Sequence, residues 1–300
     1  MVAAAMNYRH AFHAGNFADV HKHAVLVRIL THLRQKPAAF RVIDSHAGSG
    51  RYDLLAEEAT RGREWRDGIG RVWDGTTKAA DAPARALLGP YLDAVAACNA
   101  APTLRTYPGS PLIARHLMRP QDRLIACEIE PRAAAQLSAT LRGDARTKVL
   151  AIDGWTAIGA YVPPKERRGV VFIDPPFEEA GDFIRLSAAL AAAHRKWPTG
   201  IYVAWYPIKT REAPDALARR LQRLAIAKML RSELVLQGPA ADAGLAGSGL
   251  IVVNPPFTLE ADLRVLLPAL GRVLARDPAE AGNKTGFKPA YRIDWLAAER

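Results

Sequence analysis

The chain has 300 residues, 41 Lys and Arg against 30 Asp and Glu, and a formal net charge of +11. Its 49% hydrophobic and 24% charged residues are ordinary for a globular domain and exclude a disordered or fibrous chain. The cation excess favours a polyanionic partner, because each Lys or Arg near a phosphate displaces condensed counterions.

Taken in chain order, the first notable stretch is Asn7 to His23, which holds four of the eight histidines. Its spacing fits no standard zinc pattern and no cysteine assists, so no metal is expected. A polar, basic and aromatic lip over an active site is the better reading, with Asp19 capping or starting a helix to about Leu33. Candidate strands follow at Phe40–Asp44, Arg123–Glu128, Lys148–Ile152, Gly169–Ile173, Gly200–Trp205, Glu233–Gln237 and Leu250–Asn254. Helical patterns such as Pro131–Arg142 and Phe183–His194 separate most of them, which implies a parallel, doubly wound sheet. The last two strands are joined only by Gly238–Gly249, too short for a crossover, so they should pair antiparallel. The expected fold is thus α/β, Rossmann-like, with a seven-stranded, mostly parallel sheet. No strand appears between Arg51 and Thr106. Residues 53–100 therefore read as a helical insertion in a domain built from 1–52 and 101–300, since structureless loops of that length are uncommon.

Three groups of residues carry the chemistry. Val42 to Gly50, reading VIDSHAGSG, places a two-glycine turn after the first strand, where ligands bind in open α/β sheets. Asp174-Pro175-Pro176-Phe177 follows the fourth strand. Asp174 and the Pro175 carbonyl can accept both N–H bonds of an exocyclic amine while Phe177 stacks on the base face. Asn254-Pro255-Pro256-Phe257 has the same form but follows the final strand, taken as the antiparallel edge, so it is given a structural role. The third group suits an adenosylmethionine cofactor. Glu128 (with Glu130 as runner-up) stands where ribose hydroxyls would lie, and Asp153-Gly154 where the adenine amino group would lie. Ser110 reads as an N-cap before Pro111 whose neighbouring N–H groups suit a carboxylate.

Together YRHAFHAGNFADVHKH, DSHAGSGRY, YPGSPLIA, CEIEP, IDGW, IDPPF, AWYP and SGLIVVNPPF resemble the RlmJ family of bacterial 23S ribosomal RNA adenine-2030 N6-methyltransferases, from about Tyr8 to Phe257. The resemblance implies S-adenosyl-L-methionine contacts at His23, His46, Ser110, Glu128, Asp153 and Gly154, and a catalytic carboxylate at Asp174. It also implies that Tyr8, His10 and Lys22 lie at the RNA-binding mouth. Two departures are visible: Phe177 stands where many relatives have Tyr, and His46 where other methyltransferase loops have their first glycine.

A DNA adenine methyltransferase would use the same DPPF chemistry, but it usually needs a target-recognition domain larger than this insertion. A protein glutamine methyltransferase would carry Asn rather than Asp174. The rival from another class is a non-catalytic RNA-binding protein on a degenerate methyltransferase fold, which the intact Asp174 and cofactor set oppose. Cys98 and Cys127 have no CxxC spacing and read as reduced thiols. No apolar run approaches the ~20 residues of a membrane span, and Met1–Met6 is too short and uncharged for a secretory signal. A cytoplasmic monomer is the expectation, with Met6 a second candidate start.

Overall fold

The computed structural model describes residues 9–79, 81–100, 103–179, 181–237, 244–275 and 288–298. Five parallel strands form one side of the main sheet, out to the β5 edge: β1 (Arg41–Asp44), β4 (Arg123–Cys127), β5 (Thr147–Leu150), β6 (Gly169–Ile173) and β7 (Ile201–Ile208). β8 (Met229–Val235), β9 (Gly247–Val253) and β10 (Ala290–Ala297) extend it by antiparallel pairing, in the order β10-β8-β9-β7-β6-β1-β4-β5.

Side-chain alternation fixes which face each strand residue serves. Val42, Val170 and Phe172 join the core beneath α1 (Phe17–Arg34), α5 (Ser110–Leu117) and α10 (Leu259–Leu274). Ile43, Val171 and Ile173 face the opposite layer of α7 (Gly154–Tyr161), α8 (Asp182–Lys196) and α9 (Glu212–Gln222). Both faces are covered, which is why these strands read as continuous apolar runs.

Among the described residues the sheet has eight strands rather than seven. β10 adds to the outer edge of β8, and its pattern of Tyr291, Ile293 and Trp295 between charges is too exposed to have announced a strand. A further small hairpin, β2 (Arg51–Asp53) with β3 (Thr106–Pro108), brackets the stretch that looked strandless. Three residues per strand are too few to show a period. Between β2 and β3 lie α2 (Glu57–Gly62), a 3-10 turn at Glu64–Arg66, α3 (Ile69–Ala79) and α4 (Ala82–Ala96). Ile69, Val72, Leu88, Tyr91 and Val95 share the α1 core.

The last strand of the expected hairpin is also displaced from the edge. β9 lies between β7 and β8, because its residues from Gly247 to Val253 are buried on both sides and need two neighbours. Part of the β8–β9 connection, 238–243, lies outside the described residues.

Candidate active site

The carboxyl ends of the parallel strands open into one cleft of ≈ 1520 Å³, larger than a typical small-molecule pocket. It is lined from β1, β4, β6 and their loops by Ser45 to Ser49, Glu128 and Asp174 to Pro176, with Asp153-Gly154 from the loop beyond β5 and Ser110 from α5. Every cofactor residue expected from the sequence therefore borders the same space, and so do His10, Lys22 and His23 from the N-terminal segment.

Backbone geometry explains the loop after β1. Gly48 sits at φ 59°, and its N–H donates to Glu128 Oε2 at 2.9 Å. A Cβ there would lie 2.2 Å from the Tyr52 hydroxyl oxygen. Glu128 Oε1 accepts from the Glu130 backbone at 2.8 Å. Burial raises the Glu128 pKa, and these backbone N–H groups oppose the shift. Glu130 itself caps α6 (Pro131–Thr140) by accepting from Arg132 and Ala133.

Gly154 lets α7 approach the β1 loop, since a Cβ would fall 2.1 Å from the Ser45 carbonyl oxygen. Asp153 caps that helix, Oδ2 accepting from the Thr156 N–H and hydroxyl, both at 2.9 Å. Its Oδ1 lies 3.9 Å from Arg185. His46 packs edge-on to Trp155, and burial depresses its pKa to about 4. Ser110 begins α5 rather than capping it; the cap position belongs to Gly109.

Asp44, at the end of β1, is buried beside the Ser110 hydroxyl and the His46 backbone N–H. Burial raises its pKa to about 7, the Ser110 hydroxyl pulls downward and the Asp174 charge adds to the rise.

The N-terminal part of α1 supplies the charge network. Asn16, not Asp19, caps α1 by accepting from Ala18 and Asp19 N–H. This frees the Asp19 carboxylate to take the Gly15 N–H at 2.7 Å and His10 Nε2 at 3.1 Å. Lys22 Nζ lies 2.7 Å from Asp19 Oδ1 and 2.5 Å from Asp174 Oδ2, and 5.3 Å from the centre of the Trp205 ring. Burial by itself would lower the Lys22 pKa, but the two carboxylates more than offset it and the net shift is upward. Asp19 shifts well down despite burial, through His10 and Lys22.

Some expected placements differ. Lys22 is only 4% exposed, so its ammonium is committed inside the site rather than offered to solvent. Phe177 is not on the cleft wall. At φ 50° its ring turns back onto Phe183, at 4.8 Å between centroids, and Trp205, at 5.7 Å. Tyr8 lies outside the described residues. Asn254 sits at the opposite end of the sheet, donating to the Pro198 and Gly200 carbonyls at 2.8 Å each. That position follows from β9 running antiparallel to β7. In the insertion, Arg61 pairs with Glu57, Arg71 with Asp67, and Arg66 lies over Trp65.

Reading the sequence missed Asp44, Asp19 as a ligand of Lys22, and Trp155. The i,i+3 spacing of Asp19 and Lys22 was an available signal for a pair on one helix face. Among the described residues, no three His, Cys, Asp or Glu side chains are placed to hold a metal ion. No described helix is long and apolar enough to cross a membrane.

The family model described as "Ribosomal RNA large subunit methyltransferase D, RlmJ" matches residues 37–286. The chain belongs to this family. It is 38% identical over 98% of its length to the whole of "Ribosomal RNA large subunit methyltransferase J" of Escherichia coli, and 36% identical over 98% to the whole of the Haemophilus influenzae protein of that name. The crystal structure of protein LPL1258 from Legionella pneumophila superposes with a TM-score of 0.83 at 31% identity, covering 94% of this chain and 98% of that one. Membership of the RlmJ family makes this chain a methyltransferase, and the cleft lies where Rossmann-like sheets bind their ligands.

Proposed function

We propose that this enzyme transfers a methyl group from S-adenosyl-L-methionine to the exocyclic N6 of one adenine in 23S ribosomal RNA, at the family position 2030. The observation that carries the reading is the convergence of Asp174-Pro175-Pro176 with Ser110, Glu128 and Asp153-Gly154 on one cleft. The relatives' names support a ribosomal RNA substrate, and the net charge of +11 suits a polyanion.

The donor set fits the cofactor. Glu128 and Asp153 both border the cleft and can accept hydrogen bonds from hydroxyls and an amine. His23 and His46 complete the set. When bound, adenosylmethionine supplies an electrophilic sulfonium methyl. The rest of the chemistry belongs to the chain. Asp174 and the Pro175 carbonyl accept the two N–H bonds of the adenine amine, which orients the nitrogen lone pair. Lys22 holds Asp174 through Oδ2, leaving Oδ1 for the substrate. The new N–C bond would form as the methyl's bond to sulfur breaks, and the nitrogen's surplus proton would pass to the Asp174 carboxylate that already accepts its N–H bond.

A target adenine must leave its stack to reach Asp174. Pro175, Pro176 and His10 wall the space it would enter, and Arg9, Arg51, Arg132 and Arg185 around the mouth can meet flanking phosphates. Phe177 acts here by shaping the loop through Phe183 and Trp205. Residues 53–100 form an insertion that secures the N-terminal lip, since Glu64 accepts from Asn16 Nδ2 and binds His13 Nδ1, both at 2.9 Å. The enzyme works as a cytoplasmic monomer.

The test is methyl transfer from labelled cofactor to large-subunit ribosomal RNA and to duplex DNA. Asp174→Ala should lower the single-turnover rate by ~10³-fold or more while cofactor affinity changes by less than about tenfold. Asn254→Ala should keep most activity. Transfer to DNA in place of RNA, or an active Asp174→Ala, would overturn this reading.

A further inference from the structure

His23 lines the cleft, and its Nδ1 lies 2.7 Å from the Tyr107 hydroxyl. The Tyr107 oxygen lies 3.0 Å from the Tyr91 oxygen. The three side chains come from three elements, α1, β3 and α4, and all are buried. Burial drives both phenol pKa values upward and depresses that of His23 to about 3, so all three groups are neutral.

Neutral groups in a row leave two arrangements of the protons. In one, the Tyr91 hydroxyl donates to Tyr107, Tyr107 donates to His23 Nδ1, and the imidazole proton resides on Nε2. In the other, every bond is reversed: His23 Nδ1–H donates to Tyr107, Tyr107 donates to Tyr91, and the Tyr91 proton has no acceptor among the described residues. A buried hydroxyl proton without an acceptor is costly, whereas the first arrangement gives each phenol proton an acceptor. It also turns an N–H toward the cleft, because Nε2 is the ring nitrogen not engaged by Tyr107.

We propose that Tyr91 and Tyr107 are positioning residues that lock His23 as the Nε2–H tautomer, giving the cofactor site a fixed hydrogen-bond donor for an acceptor group of adenosylmethionine. The inference rests on the adenosylmethionine reading above. It gives the insertion a second task, since Tyr91 on α4 is the terminal donor of a chain ending at the cofactor site. The same logic orients metal-bound histidines, whose free tautomer is set by the partner of the other nitrogen.

The experiment combines histidine ¹⁵N spectra of the ligand-free full-length chain with calorimetric titration of adenosylmethionine. The His23 signals are assigned by their loss in His23→Gln. The unaltered chain should show His23 protonated at Nε2. Tyr107→Phe should give mixed tautomers and weaken cofactor binding ~3–10-fold, with the KM for RNA unchanged. Tyr91→Phe, which leaves the Tyr107 bond in place, should weaken it less, and the double variant no more than Tyr107→Phe alone. Protonation of His23 at Nδ1 in the unaltered chain, or an unchanged tautomer and affinity in folded Tyr107→Phe, would overturn the proposal. No cofactor binding by the unaltered chain would overturn the adenosylmethionine reading instead, while the spectra still decide the tautomer.

Discussion

Lys22 illustrates how one buried cation serves two carboxylates with different tasks. Asp19 is a structural counter-ion that also holds Gly15 and His10, whereas Asp174 faces the cleft. Removing the cation strands both charges, and an uncompensated buried charge costs more than the intact pair contributes. Lys22→Met is expected to destabilise the fold by ~3–5 kcal/mol in urea unfolding. Adding Asp19→Asn should recover a large part of that loss, because the stranded charge goes with it. Methyl transfer should stay low in the double variant, since Asp174 remains without its positioning partner. Full activity there would show that Lys22 acts only on stability.

At the scale of elements, the site depends on how closely α7 docks on the β1 loop. Gly154 is the contact point, and the atoms a Cβ would meet include the Ser45 backbone carbonyl, which cannot yield as a flexible side chain could. Gly154→Ala should therefore push α7 away from His46 and weaken adenosylmethionine binding by at least about tenfold, with ~1–3 kcal/mol lost in stability. Calorimetry and urea unfolding measure the two effects. Unchanged binding in a variant of normal stability would remove this close approach from the cofactor site. The far end of the sheet offers a control. Asn254 stitches β9 to the turn before β7 through two carbonyls, so Asn254→Ala should cost stability and leave cofactor affinity alone.

For the whole molecule, buried titratable groups set a pH dependence whose sign can be worked out. His21, held between Ser232 and Ser248, and His23 both have pKa values depressed to about 3. Between about pH 3 and 6.5 the unfolded chain takes up two protons that these folded groups refuse, so stability is lost as pH falls. Asp44 works in the opposite direction. Its folded pKa of about 7 means that the folded state keeps a proton the unfolded chain releases above about pH 4, so its contribution is lost as pH rises toward 7. Near pH 5 the net difference from these three groups is one proton, or about 1.4 kcal/mol per pH unit. Asp44→Asn should steepen the measured slope by about 1.4 kcal/mol per pH unit, read by urea unfolding between pH 4.5 and 6. An unchanged slope would mean that Asp44 is not held protonated in the fold.

The alternation of apolar runs and helical patterns determined the parallel core, and DPPF after the fourth strand and the strand-end acids were legible as residues that border one cleft. These features are local: a run of Val and Ile or a Pro-Pro turn acts within a few residues of itself. The edge strand β10 and the hairpin β2–β3 were not legible, because short or exposed strands are defined by the partners they find. Placement of β9 between β7 and β8 was hidden for the same reason, although its antiparallel sense was readable from the short connection. The pairings of Lys22 with Asp174, 152 residues apart, and of His23 with Tyr107, 84 apart, were decided by tertiary structure alone. Both ion pairs and tautomers depend on which groups burial brings together in low dielectric, and no sequence period encodes that.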